Sequence, residues 1–178
     1  MSVKYCEPTA RGLRKVDVQN FAEKMAESVE FAPGGSLEEL IENTGGQLAF
    51  GSSGTGDHES GSIIAKELDD YTIYLSQNTS RLRDRFTIAH ELGHLTLHLP
   101  KIKENDPEAV MRATRWVDDS DEGKKRAEWE ANWFAAAFLM PRDAFMEAFH
   151  EGGIRRIQSE FDVSSAAAET RAKSLGLT

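Results

Sequence analysis

Three of the five histidines of this 178-residue chain lie within nine residues, and the first two form a His-Glu-x-x-His pattern. The pattern consists of His90, Glu91 and His94, with His98 four residues further on. Residues four apart on an α-helix share one face, so both imidazoles can bind a single metal ion. Glu91 follows the first imidazole and can take a proton from water that the ion activates for attack on a carbonyl. This spacing predicts hydrolysis at a metal centre.

The residues around the pattern are mostly apolar, which argues against a chance match. The apolar positions are Phe86, Ile88, Ala89, Leu92, Leu95 and Leu97. A helix this apolar is expected to be buried, and buried imidazoles need partners. We therefore predict that His90 and His94 are metal ligands.

A hydrolytic zinc site usually has three protein ligands and an open position for water. His98 is a poor third ligand, because eight residues of helix place it about 12 Å along the axis from His90. The longer histidine pattern that recruits a third histidine has a glycine after the second one, whereas Leu95 follows here. We expect His98 to support the site or simply to pack.

A carboxylate of the next long helix is a better third ligand, and Glu128 and Glu130 are the two choices. Their helical phase differs by about 200°, so only one of them is expected to face the metal. Glu128 shares its face with small residues and with Asn132, which could hydrogen-bond a ligand imidazole. We therefore favour Glu128 as the third ligand. We expect Glu130 to be an exposed glutamate in the first turn, where its negative charge interacts favourably with the helix dipole.

The helix that carries His90 is predicted to begin after three possible N-caps at 78–80 and to end at Pro100. Ahead of it, residues 62–66 and 71–76 flank a turn, so they predict an antiparallel hairpin. The second strand alternates apolar and polar residues, which indicates one buried face.

The other elements follow from periodicity, caps and turn residues. Before the hairpin they are a helix over 18–29, a helix capped by Ser36 and Glu39, a strand at 47–50 and a loop at 51–62 that contains His58. After the motif helix, the stretch 101–125 is irregular except for a strand at 110–116, and a long helix follows over 124–140. A shorter helix over 143–150 is stopped by Gly152 and Gly153, and the tail adds two short helices. Together they predict an α+β class with a small antiparallel or mixed sheet packed on helices.

Length and composition limit the possible function. The 178 residues fit one domain, and the net charge of −9 makes direct nucleic-acid binding a poor hypothesis. Cys6 is the only cysteine, which excludes an internal disulfide, and no stretch has the character of a signal peptide or membrane span. These features favour a cytoplasmic protein. Cys6 is expected to be inert.

Residues 85–94 read RFTIAHELGH, and residues 128–141 read EWEANWFAAAFLMP. These two linked motifs resemble the ImmA/IrrE family of metallopeptidases. The family pairs an RFTxAHExxH helix with a second helix of the form ExExNxFAxxLLMP, and Phe138 replaces the usual leucine here. The resemblance is concentrated in core motifs over 61–141, with a helical tail over 142–178.

The resemblance implies a single zincin-like α+β domain over 1–178, in which the two motif helices cross at the metal. It makes His90, His94 and Glu128 the ligands of one Zn²⁺ ion, Glu91 the general base and Asn132 a supporting residue. Mn²⁺ or Fe²⁺ would also fit a His-His-Glu site.

The implied function is a zinc endopeptidase that cleaves a helix-turn-helix repressor and so controls genes of mobile elements or stress responses. A zincin site generally holds its peptide beside an edge strand, and the predicted hairpin over 61–76 could supply that edge. Tyr71, Tyr74 and His98 are candidates for the group that stabilises the oxyanion.

Two other classes of function stay open. Residues 154–175 have the look of a helix-turn-helix that could contact DNA, although their surroundings over 151–178 carry a net charge of zero. The chain could also be a metal-containing regulatory or antitoxin-like module that binds a repressor or DNA without turnover. Glu91 argues for an enzyme, because a structural metal site needs no base.

Overall fold

The computed structural model describes residues 3–51, 62–114, 118 and 120–178. The elements are, in chain order, β1 (Tyr5–Cys6), α1 (Lys15–Ser28), α2 (Leu37–Asn43), β2 (Gly46–Phe50), β3 (Ser62–Glu67), β4 (Asp70–Leu75), α3 (Arg81–Leu97), α4 (Leu99–Asn105), β5 (Val110–Ala113), α5 (Glu122–Leu139), α6 (Arg142–Phe161) and α7 (Ser165–Ser174). The predicted α+β class is confirmed. No helix in the described ranges is long and apolar enough to cross a membrane.

The described strands form one mixed sheet in the order β1-β5-β3-β4-β2. β3 pairs with β4 and with β5 in antiparallel fashion, while the outer strands β1 and β2 pair in parallel with β5 and β4. The predicted hairpin is therefore confirmed. On β4 the side chains of Tyr71, Ile73 and Leu75 are buried, as their alternation predicted.

The prediction that the hairpin supplies a sheet edge is wrong. β3 lies between β5 and β4, and β4 lies between β3 and β2, so both hairpin strands are interior among the described residues. The edges are β2 and the two-residue β1. The pattern of one hairpin could not show this, because the strands that cover it come from segments far away in sequence.

The caps that start the helices are formed as the sequence predicted. Ser80 Oγ accepts the amide of Arg83 at 3.3 Å at the start of α3. Ser36 Oγ accepts the amide of Glu39 at 3.1 Å at the start of α2. Each cap satisfies one of the backbone donors that a helix leaves free at its start.

The region after α3 is more regular than predicted. Pro100 does not only end a helix, because it lies in the first turn of α4, where its missing amide costs nothing. The predicted strand at 110–116 is present as Val110–Ala113, and residues 115–117 lie outside the described residues. The predicted loop with His58 falls largely on residues 52–61, which are likewise outside them.

The two motif helices, α3 and α5, pack closely against each other. A Cβ built on Gly93 would lie 3.1 Å from Ala131 Cα and 3.1 Å from Phe134 Cβ, so glycine permits this approach. Below it Phe134 stacks on Phe138, with ring centroids 5.6 Å apart. The crossing fixes the relative position of the side chains that the two helices carry.

The tail is helical, but its boundaries differ from the prediction. Gly153 has φ of +61°, and the chain kinks there and continues as α6 to Phe161 instead of stopping. α7 follows, and Arg171 within it is buried and bonded to Met140 O and to Glu23. Ile157 and Phe161 are also in the core, so these helices pack against the rest of the fold.

Candidate metal centre

The helix α3 presents both histidines of the motif on one face. His90 and His94 are buried, and their Nε2 atoms lie 3.1 Å apart. Glu91, between them in sequence, is also buried, with 1% of its surface exposed. Three polar side chains within one buried helical turn need polar or metal partners.

Glu128 on α5 completes a cluster with the two histidines. One carboxylate oxygen lies 3.2 Å from His90 Nε2, and the other lies 3.0 Å from His94 Nε2. Among the described residues these three side chains are the group of histidine, cysteine and acidic residues whose donor atoms could hold a metal ion. The structure thus brings together the residues that the sequence proposed as ligands.

The cluster fits a tetrahedral ion. Ligand atoms about 2.0–2.1 Å from a tetrahedral zinc ion lie about 3.3 Å from each other. The two Nε2 atoms are 3.1 Å apart and each lies 3.0–3.2 Å from a different oxygen of Glu128, which is close to that value. Two imidazole nitrogens and one carboxylate are also the donor set of many hydrolytic zinc sites, which keep a fourth position open.

Asn132, one turn after Glu128 on α5, holds the His90 ring. His90 Nδ1 donates a hydrogen bond to Asn132 Oδ1 at 2.8 Å. The proton of a neutral His90 is then on Nδ1, and the lone pair of Nε2 points into the cluster. The hydrogen bond expected of Asn132 is therefore present.

The electrostatics of the cluster favour a bound cation. Burial would raise the pKa of Glu128, but the His90 and His94 rings beside its two oxygens outweigh that effect and hold the pKa well below its usual range. Burial lowers the pKa of His94 to about 4. Burial also acts to lower the pKa of His90, but the Glu128 carboxylate beside it raises that pKa. Around neutral pH the cluster therefore has a carboxylate and an uncharged His94.

The expectation that Glu130 is exposed is wrong. Glu130 is fully buried, and its Oε2 accepts a hydrogen bond from His98 Nε2 at 3.0 Å. Its carboxylate also accepts the backbone amides of Arg11, Gly12 and Leu13 at 2.8, 2.8 and 3.1 Å. Burial would raise the pKa of Glu130, but these hydrogen bonds lower it. Glu130 therefore faces away from Glu128, as helical phase requires, yet into the protein.

Two of the candidate oxyanion donors are engaged elsewhere. The Tyr71 hydroxyl is 2.6 Å from Thr44 Oγ1 within the core. His98 is fully buried and lies behind His94, with Nδ1 atoms 3.0 Å apart. Tyr74 lies on the opposite face of β4 from Tyr71 and stays a prediction.

The cluster opens into a cleft of about 250 Å³, whose described lining includes His90, Glu128 and Phe86. Beside it lies a second cavity of about 750 Å³, which we call the apolar groove. Its main apolar residues are Leu82, Phe86, Trp129, Trp133, Val163 and Ala167. Cleft and groove share Arg83, Phe86 and Asn132 as lining residues, so the two cavities adjoin each other.

The sequence is similar to a known family of proteins. The sequence matches the family described as IrrE N-terminal-like domain, Peptidase M78, over residues 52–173. The chain therefore belongs to the ImmA/IrrE family.

A solved structure shares the fold. A Mycobacterium tuberculosis transcriptional regulator matches with a TM-score of 0.58 and 21% sequence identity over 88% of this chain. The match covers 55% of that regulator, so this chain spans about half its length. No curated protein gives a significant match.

Sequence reasoning missed the segment behind the site. Arg11, Gly12 and Leu13 reach Glu130 across 117 to 119 residues of chain, and they lie outside the family match. No helical or strand pattern marks them. The one signal available was Gly12, whose φ of +73° favours glycine.

Proposed function

We propose that this chain is a zinc-dependent endopeptidase whose ligands are His90, His94 and Glu128. The observation that supports it is the cluster of these three side chains, with donor atoms 3.0–3.2 Å apart and an open cleft beside them. Zinc is preferred over Mn²⁺ and Fe²⁺ because the donor set and spacing suit a tetrahedral ion. When bound, the ion supplies Lewis acidity for hydrolysis of a peptide bond.

In this proposal Glu91 is the general base. It follows His90 on the face of α3 that turns toward the cluster, and its negative charge acts on His90. Glu91 accepts a proton from the attacking water and passes it to the leaving amine as the C–N bond breaks. His90 and His94 hold their Nε2 lone pairs toward the cluster, and Asn132 keeps the His90 ring in place.

The proposed substrate is a helix-turn-helix transcriptional repressor, as the family resemblance implies. In this proposal residues 1–178 form one peptidase domain. The main alternative is a regulatory or antitoxin-like module that holds a metal and binds a repressor or DNA without turnover. The buried Glu91 next to the cluster favours the enzyme, since a binding module has no need of a base there.

Incubation with purified helix-turn-helix repressors tests the proposal. The zinc-loaded wild type should cut a repressor at a defined peptide bond, observed by mass spectrometry. Glu91→Gln should keep its zinc and lose at least about 100-fold in rate, because it removes the proton acceptor. Glu122→Gln is a matched control, since Glu122 is on the same helix as Glu128 and its side chain is 81% exposed. Zinc and repressor binding without cleavage would favour the alternative, and full activity of Glu91→Gln would overturn the assignment of the base.

A further inference from the structure

The buried Glu130 carboxylate is held by a turn at the N-terminal side of the chain. Consecutive amides of Arg11, Gly12 and Leu13 donate to its two oxygens at 2.8, 2.8 and 3.1 Å. Successive amides that converge in this way form an anion-binding concavity, and the positive φ of Gly12 makes the convergence possible. We call residues 11–13 the amide turn. The three amides are hydrogen-bond donors, so the Glu130 carboxylate is the acceptor.

From Glu130 a line of hydrogen bonds runs to the metal cluster. Glu130 Oε2 lies 3.0 Å from His98 Nε2, and His98 Nδ1 lies 3.0 Å from His94 Nδ1. His94 Nε2 is the atom that faces Glu128 and His90. His98 and Glu130 are fully buried, so water does not compete with these bonds.

Which atom donates in each of these hydrogen bonds follows from the acceptor at the Glu130 end. An acceptor at Glu130 requires the proton of His98 to be on Nε2. A neutral His98 then has a lone pair on Nδ1, which can only accept from His94 Nδ1. His94 therefore carries its proton on Nδ1 and offers the lone pair of Nε2 to the metal.

We propose that Glu130 and His98 are positioning residues that hold His94 in its metal-binding tautomer, and that the amide turn holds Glu130. This inference rests on the proposed metal site. It extends the site to residues 11–13, which lie outside the part of the chain that matches the family. Partners of this kind orient a ligand ring and raise metal affinity about 10–100-fold.

Two substitutions of His98 separate a tautomer effect from packing. In His98→Asn the amide oxygen replaces Nδ1 and can still accept from His94, whereas His98→Gln places its amide near Nε2 and keeps only the contact with Glu130. Zinc affinity, measured by competition with a chelator, should fall about 10–100-fold in His98→Gln and less in His98→Asn. The reverse order, or two unchanged affinities, would overturn the proposal.

The amide turn is tested by Gly12→Ala. A Cβ at Gly12 meets nothing within 4 Å, so the change acts through the positive φ alone. Gly176→Ala is a matched control, because Gly176 also has φ of +73° and open space around it. Zinc affinity should fall several-fold in Gly12→Ala and stay unchanged in Gly176→Ala. Equal affinities of the two variants would contradict a role of the turn.

Nitrogen-15 NMR of the histidine rings tests the inference even if the chain binds no zinc. In the metal-free wild type at about pH 8, His94 should be protonated on Nδ1 and His98 on Nε2. The opposite tautomer of His94 would overturn the proposed role of Glu130 and His98, whether or not the chain is a peptidase. A wild type with the expected tautomers that binds no zinc would instead count against the proposed function alone.

A different observation, the apolar groove, carries a second inference. The groove adjoins the metal cleft, since Phe86 lines both cavities, and Trp129 within the groove is 48% exposed. Its described lining contains the cations Lys15 and Arg83 and no carboxylate, although the chain has a net charge of −9. The third cation, Arg171, is buried and paired with Glu23.

We infer that the apolar groove binds the substrate polypeptide next to the scissile bond. The groove would select a substrate segment whose large apolar side chains contact Trp129. The same segment would carry an acidic side chain that pairs with Arg83 or Lys15. This inference rests on the proposed function, because the position of the groove directly beside the metal cleft identifies the occupant.

Three fluorescein-labelled decapeptides test the groove. The first consists of leucine and glutamate, the second of leucine and lysine, and the third of serine and glutamate. Their affinities for the full chain, with and without added zinc, are measured by fluorescence anisotropy. The leucine and glutamate peptide should bind best, and Trp129→Ala should weaken it at least about fivefold. Phe50→Ala is the control, because Phe50 is 67% exposed and does not line the groove. Equal or absent binding of all three peptides would overturn the inference, while binding without cleavage would count only against the peptidase.

Discussion

Glu128 and Glu130 stand two residues apart on α5, but Glu130 is fully buried, whereas the Glu128 side chain is 22% exposed. Glu128 faces His90 and His94, whereas Glu130 faces His98 and the amide turn. Helical phase was sufficient to separate the two residues and to favour Glu128. It was not sufficient to predict the burial of Glu130, because the amides that compensate that burial lie more than 100 residues away.

Asn132 allows a prediction at the same scale. Asn132→Ala removes the acceptor of His90 Nδ1, which frees the ring to rotate and to change tautomer. Zinc affinity should fall about 10–100-fold by chelator competition, with little change in the far-ultraviolet circular dichroism. Asn132→Asp keeps an acceptor oxygen and should retain most of the affinity. Tight zinc binding by the alanine variant would show that the His90 ring is held by other contacts.

At the scale of elements, local signals predicted what local physics controls. The Ser80 cap began α3 and the alternation in β4 selected its buried side, because both depend on residues close in sequence. The edge position of the hairpin and the helix ends at Pro100 and Gly153 were predicted wrongly. These features depend on which distant segments pack together, and a single sequence contains no direct signal for that.

An ion-pair network joins the start of α3 to the end of α6 and makes stability depend on pH. Arg81 and Arg85 both contact Asp162, with Arg81 Nη2 2.6 Å from Oδ1 and Arg85 Nε 3.3 Å from Oδ2. The hydrogen bond from Arg81 is the main cause of the lowered pKa of Asp162. Asp162→Asn should reduce the free energy of unfolding by about 1–2 kcal/mol at pH 7.

The sign of the pH effect follows from the lowered pKa. A carboxyl whose pKa is lower in the folded state stabilises the protein above its unfolded pKa of about 3.9, and this contribution is lost as pH falls through the folded value. The difference between wild type and Asp162→Asn in urea unfolding should therefore be full at pH 7 and close as pH falls below about 4. Asp69→Asn, in an exposed turn, is the control. A difference that stays constant with pH would mean that the charge of Asp162 is not what stabilises the fold.

For the whole molecule, the two motif helices were predictable and the frame around them was only partly so. The residues of α3 and α5 that meet at the cluster were all selected from motif spacing and helical phase. The N-terminal segment was missed, yet it contacts both motif helices: Arg11 Nη1 donates to Leu97 O, and Arg126 of α5 donates to Leu13 O. Hydrogen bonds thus tie residues 11–13 to both motif helices.

Metal content is the most direct test of the central claim that His90, His94 and Glu128 hold one ion. Elemental analysis of the purified chain, dialysed against zinc and then against buffer, should give about one zinc per wild-type chain. His94→Ala and Glu128→Gln should lose the zinc, while Glu122→Gln, the matched control on α5, should retain it. Full zinc content in both ligand variants, or none in the wild type, would contradict the account.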